Sequence, residues 1–177
     1  MSNISKSSAA ALAVFTLATL GGVAIAQQNK DSVKVPDGLA LSEFQGYEKW
    51  QVIAASQNNN IIDVIVGNPE MIAAYQSGLP AEGKKFPDGV KMVKIHWNAR
   101  KQPDGFPGLV PDTLHDLDTM VKDSKRFAAT GGWGYSQFNY DAASDKLTPL
   151  GTGPGCGFAC HTKTAAKDYV FTTFPKR

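Results

Sequence analysis

Both cysteines of this chain fall inside one six-residue string, Cys156-Gly157-Phe158-Ala159-Cys160-His161. The second is followed at once by one of only three histidines. Two thiols and an adjacent imidazole are the parts of the C-x-x-C-H haem-attachment signature. In it, each thiol adds across a haem vinyl group and the histidine binds iron from the same side. Here the spacing is C-x-x-x-C-H, one residue longer. The extra residue is expected to loop out at Gly157, which tolerates positive φ. The spacing leaves three other chemistries open. One is a single thioether through Cys160, with Cys156 free. Another is a Cys156–Cys160 disulfide, whose small loop would add little entropic stabilisation. The weakest is zinc, which would need His96 and His115 to complete the ligand set.

Other candidate groups lie on the elements around this string. Val90 to Trp97 alternates as a strand: Val90, Met92, Lys94 and His96 share one face, and Lys91, Val93, Ile95 and Trp97 the other. If Val90 and Met92 line an apolar pocket, Lys94 points into it. A charge there must be neutralised, paired or covalently consumed; otherwise it snorkels to water. Lys91 is the fallback. His96 and His115 are candidates for a sixth iron ligand or a proton relay, with the plainer alternative of loop or surface histidines. Met71, Met92 and Met120 sit in apolar patterns and read as core. Trp133 and Tyr135 are candidate pocket walls; Phe138, Tyr47 and Trp50 read as core. No P-loop, G-x-G-x-x-G, G-x-S-x-G or H-E-x-x-H is present. Glu43, Glu48, Glu70 and Glu82 are scattered, so a hydrolase has no nucleophile–base pair.

The elements that must position these groups are strand-rich. Ser42 is expected to cap a short helix. Trp50–Ser56 and Ile61–Val66 form a hairpin candidate around Gln57-Asn58-Asn59-Asn60. Asn68 and Pro69 open the clearest helix, and Gly78 ends it. Phe86-Pro87-Asp88-Gly89 is a turn before the Val90 strand. Residues 98–111, rich in Pro and Gly, predict a long loop. Residues 113–122 fit strand or helix, and 123–129 a short helix stopped by Gly131-Gly132. Trp133–Tyr140 is a further strand, with Tyr135 and Gln137 expected opposite Trp133 and Ser136. Gly151 to Gly157 predicts a flexible tract, and Ala165 to Phe174 an ordered end.

The chain has 177 residues, 42% hydrophobic and 19% charged, which suits one globular domain with a tail and excludes disorder. A net charge of +2, with no Lys/Arg stripe, gives no footprint for nucleic acid. Lys6 precedes an apolar run ending Ala24-Ile25-Ala26, so residues 1–26 read as a signal peptide cut after Ala26. Residues 27–34 would be a flexible N-terminus, and 35–177 the domain. The expected location is periplasmic or secreted, with no membrane contact after cleavage.

The ordered set of motifs resembles the cytochrome P-460 family, including the β-type cytochromes c′. It comprises Val35-Pro36 with Tyr47 and Trp50; Gly67-Asn68; Phe86-Pro87-Asp88-Gly89 with a lysine-bearing strand; and Met120-Val121-Lys122-Asp123. Phe127-Ala128-Ala129-Thr130-Gly131-Gly132-Trp133-Gly134, Cys160-His161 and Lys167-Asp168-Tyr169-Val170-Phe171-Thr172 follow. The resemblance implies an α+β fold: a mainly antiparallel β-sheet with short helices in a single compact domain, often a homodimer. It implies one haem c, with Cys156 and Cys160 as attachment points and His161 as the only protein ligand to iron. The other iron face stays open to a small molecule. Lys94 lies on the strand where the P-460 enzymes carry the lysine that they bond to the porphyrin edge as they oxidise hydroxylamine, passing electrons to an external acceptor. In the β-type cytochromes c′ that bond is missing, and an apolar pocket binds nitric oxide. Enzyme and gas binder both remain open at this point.

Overall fold

The computed structural model describes residues 38–105, 107–150 and 153–176, with backbone only at 153–156. The expected leader at 1–26, the expected tail at 27–34 and Val35-Pro36 lie outside the described residues. Six strands follow one another in both sequence and space: β1 Gln51–Asn58, β2 Ile61–Gly67, β3 Lys91–Lys101, β4 Leu109–Lys122, β5 Trp133–Asp141 and β6 Lys146–Pro149. Every neighbouring pair is antiparallel, so the sheet is one meander in the order β1 to β6. Among the described residues two α-helices accompany it, α1 Pro69–Gln76 and α2 Gly153–His161.

The period-two pattern of β3 sorts the molecule into two cores. Val93 and Ile95 face one side, with Val66, Leu117, Val121, Phe138, Leu41 and Phe44. Met92 faces the other, with Met120, Trp133, Tyr135, Met71, Phe86 and Val170. Trp133 and Tyr135 therefore share a face, because alternate residues of a strand point the same way; the expectation that they oppose one another is corrected. Phe138 is core on the far side.

Three further expectations change. Half of residues 98–111 is strand, since β3 runs to Lys101 and β4 begins at Leu109, which leaves a shorter loop than expected. Pro111 is tolerated because β5 pairs with β4 only from Asp116 onward, so this stretch of β4 is a local edge. Ser42 lies inside a 3-10 turn, Leu41–Phe44, and the N-cap is instead Ala40, whose N–H donates to Glu43 Oε1 at 2.9 Å. The stretch 123–129 is a turn in which Asp123 Oδ1 accepts from the Lys125 and Arg126 amides, followed by a 3-10 turn at Ala128–Thr130.

Asn68 does more than cap α1. Its Oδ1 accepts from the Met71 amide at 3.0 Å and the Lys91 amide at 2.9 Å, and its Nδ2 donates to Gly89 O at 2.9 Å. One side chain thus joins the helix start to the start of β3.

Candidate functional site

The α2 helix carries the cysteine–histidine string through as continuous helical backbone. No residue is looped out, and Gly157 has ordinary negative φ. Its role is different: a Cβ there would lie 2.6 Å from Tyr135 Cβ. Glycine lets α2 lie directly on β5, which sets His161 against Tyr135 with ring centroids 5.0 Å apart.

After His161 the chain makes a 3-10 turn, Thr162–Lys167, and then two consecutive left-handed residues, Asp168 (φ 51°) and Tyr169 (φ 65°). Such conformations are costly for residues with a Cβ. An ion pair holds this one: Lys122 Nζ lies 2.8 Å from both Asp168 carboxylate oxygens, and each side chain is 2% exposed. Asp168 Oδ2 also accepts from the Phe86 amide at 2.8 Å. The turn aims the Tyr169 carbonyl at His161, whose Nδ1 donates to it at 2.6 Å. Gly131 makes room for the Tyr169 ring, which a Cβ at that position would strike. Nδ1 then carries the proton and Nε2 keeps its lone pair, the tautomer of a metal-binding histidine. Burial holds His161 below its ordinary 6.5, so the ring stays neutral.

His161 and Cys160 line a cavity of about 510 Å³. Ile65, Met92, Met120, Tyr135 and Phe171 form its apolar part. Phe171 stands edge-on to His161 at 5.0 Å and is 54% exposed. Lys94, Asp118, Gln137 and Ser56 supply polar groups. The sheet register explains this arrangement. Ile65, Lys94, Asp118 and Gln137 pair in one row across β2 to β5, beside the row of Met92, Met120 and Tyr135.

Lys94 lines the cavity, is 34% exposed, and its Nζ lies 3.2 Å from Asp63 Oδ2. Lys91 is on the opposite face, donating to Glu43 O at 2.6 Å. Neither His96 nor His115 lines the cavity; both lie among carboxylates. His96 Nε2 is 3.1 Å from Asp118 Oδ2 and 3.5 Å from Asp116 Oδ1, and Nδ1 is 2.7 Å from Asp63 Oδ1. His115 Nδ1 is 2.6 Å from Asp116 Oδ2. No cysteine joins them, so the zinc arrangement has no support among the described residues. Met71 is fully buried core. The Cys156 side chain lies outside the described residues; Cys160 is a free, exposed thiol.

Sequence reasoning missed Asp118, Asp63, Ile65 and Phe171, and did not identify Tyr169 as the source of the carbonyl that His161 meets. Asp118 has the parity of Met120, a signal readable once residues 113–122 are known to be strand. The carbonyl carries no side-chain signal.

The family model of Cytochrome P460 matches residues 44–172. The chain belongs to the cytochrome P460 family. No curated protein matches the chain. Membership in the P460 family implies a haem cofactor and iron binding, and the cavity fits that group. It offers an imidazole nitrogen with its lone pair free, a thiol beside it and apolar walls. Tyr135 adds a buried hydroxyl with no hydrogen-bond partner among the described residues. For this P460-family chain, His161 is the residue that would hold iron and Cys160 the one that would hold the macrocycle.

Proposed function

We propose that this chain is an exported, monohaem c-type cytochrome that oxidises a small nitrogen compound, with hydroxylamine as the leading substrate. The observation that carries the reading is the company His161 keeps: the same cavity holds a cation, Lys94, and a carboxylate, Asp118. The gas-binding reading predicts a purely apolar pocket instead.

The haem would supply an electron sink and a site for the substrate. Cys160 would hold it through a thioether. Cys156, one helical turn earlier, is the second candidate attachment point. His161 would offer Nε2 to iron, kept in that tautomer by the Tyr169 carbonyl. Ile65, Met92 and Met120 give the cavity apolar walls, which strengthen the charge interactions beside them. Asp118 stands ready as a carboxylate to accept a substrate proton. Electrons pass to an external acceptor. The leader at residues 1–26 supports export, and among the described residues no helix is long and apolar enough to cross a membrane.

One observation favours the second reading, a non-catalytic nitric oxide binder. Lys94 is ion-paired with Asp63, and a lysine bonded to the porphyrin would lose that ammonium.

The test is expression with haem-maturation machinery, then mass and absorption after denaturation. The expected result is a haem-sized mass gain that survives denaturation, lost in Cys160→Ala. Hydroxylamine oxidation should accompany it. A red-shifted, broadened Soret band abolished by Lys94→Ala would identify the cross-linked enzyme; an ordinary c-type spectrum without turnover would leave the gas binder. A colourless protein would overturn both.

A further inference from the structure

The carboxylates around His96 form a path with two ends. Asp118 lies at the cavity end, as part of the wall. His115 lies at the other, with its side chain 50% exposed. Between them, His96 and Asp116 are only 14% and 8% exposed. We propose that Asp118, His96, Asp116 and His115 form a proton relay from the cavity to the surface, with Asp63 orienting His96.

Three features support it. First, the two carboxylates meet the same nitrogen. Asp63 Oδ1 makes an ion-pair contact with Nδ1 at 2.7 Å without hydrogen-bond geometry, while Nε2 is hydrogen-bonded to Asp118 at 3.1 Å and lies 3.5 Å from Asp116. An imidazole nitrogen that faces two carboxylates can take a proton from one and return it to the other. Second, Asp116 Oδ1 is buried with no hydrogen-bond partner among the described residues, and it is the oxygen turned toward His96. An acceptor left empty is able to receive. Third, a β-bulge builds the exit. His96 pairs with Asp116 but Trp97 pairs with Leu114, so His115 is the extra residue. In a regular strand it would face away from Asp116; the bulge re-aims it, a common device beside active sites.

Each hand-off moves one proton and no electron. A substrate proton goes to the Asp118 carboxylate, then from Asp118 to His96 Nε2, then from Nε2 to Asp116 Oδ1. Rotation of the Asp116 carboxyl presents the proton to His115 Nδ1, and His115 passes it to water or buffer. The groups facing the ring set its basicity. Burial lowers the His96 value, but the Asp118 hydrogen bond and the Asp116 and Asp118 charges outweigh this and the opposing Lys94, so it sits above 6.5. Asp63, from β2, adds its carboxylate on the other nitrogen, itself tied to Lys94 and to Ser56 Oγ at 3.2 Å.

The inference rests on the hydroxylamine-oxidising reading, because that reaction releases protons as it removes electrons. The experiment measures hydroxylamine oxidation by the holoprotein at rising buffer concentration. His115→Ala, at an exposed bulge, should lower kcat about tenfold at low buffer with KM unchanged, and imidazole should restore it. The three histidines also allow a readout without turnover: NMR of histidine-labelled holoprotein. Asp116→Asn should move the His96 and His115 titrations together. A His115→Ala rate equal to the parent's, or insensitive to buffer, overturns the relay, as do two histidines that titrate independently. Failure of the parent to oxidise hydroxylamine overturns the functional reading instead.

Discussion

At the scale of single residues, the site depends on two atoms with little chemistry of their own. The Tyr169 carbonyl selects the His161 tautomer, and the missing Cβ of Gly157 sets the depth of α2 on β5. Gly157→Ala tests the second. Alanine would gain about 1 kcal/mol of helix propensity. Its Cβ would meet Tyr135 Cβ at 2.6 Å, and overpacking of that kind costs about 1–3 kcal/mol. The clash is with a residue anchored in a central strand, so the cost wins. Urea unfolding should show a net loss of stability; a variant as stable as the parent would mean that the helix stands off the sheet.

At the scale of elements, the ion pair between Lys122 and Asp168 joins the end of β4 to the segment that follows α2. Lys122 Nζ also donates to Gly131 O at 3.0 Å and lies 5.0 Å from the centre of the Trp133 ring. The two left-handed residues that aim the Tyr169 carbonyl are held from this point. Asp168→Asn would leave a lysine that is 2% exposed without its counter-charge. Removing one partner of a buried pair costs about 3–5 kcal/mol. Denaturant unfolding should show a loss in that range. A loss under about 1 kcal/mol would mean that water reaches the ammonium and that the pair does not hold the turn.

At the scale of the whole molecule, one sheet separates an apolar core from a face that grades from apolar to charged. His96 ties three strands on that face, β2 through Asp63 and β4 through Asp116 and Asp118. Because its folded value is raised above 6.5, the protonated ring stabilises the fold. That contribution is complete below pH 6.5 and is lost as pH rises through the folded value. The stability difference between the parent and His96→Gln should therefore shrink as pH rises through this window. Unfolding free energies at a series of pH values decide it; a difference independent of pH would show that His96 acts by packing alone.

Much of this was legible in the chain itself, wherever local physics decides. The alternation of β3 follows from strand geometry, so Lys94 and Met92 had to share a face. The Asn68–Pro69 start follows from the unpaired amides of a helix end. The cysteine–histidine string announces its chemistry by adjacency. What the tertiary structure alone decided is whatever depends on a distant neighbour. Glycines at 153–157 read as flexible because their backbone entropy is local, whereas the close approach to Tyr135 that makes helix favourable is not. Pro111 read as loop because a proline lacks a ladder donor, yet it sits where β5 has not yet begun. The Asp63–His96–Asp116–Asp118 cluster comes from three strands whose register no single strand specifies. A one-residue slip would have turned every one of these side chains to the other face.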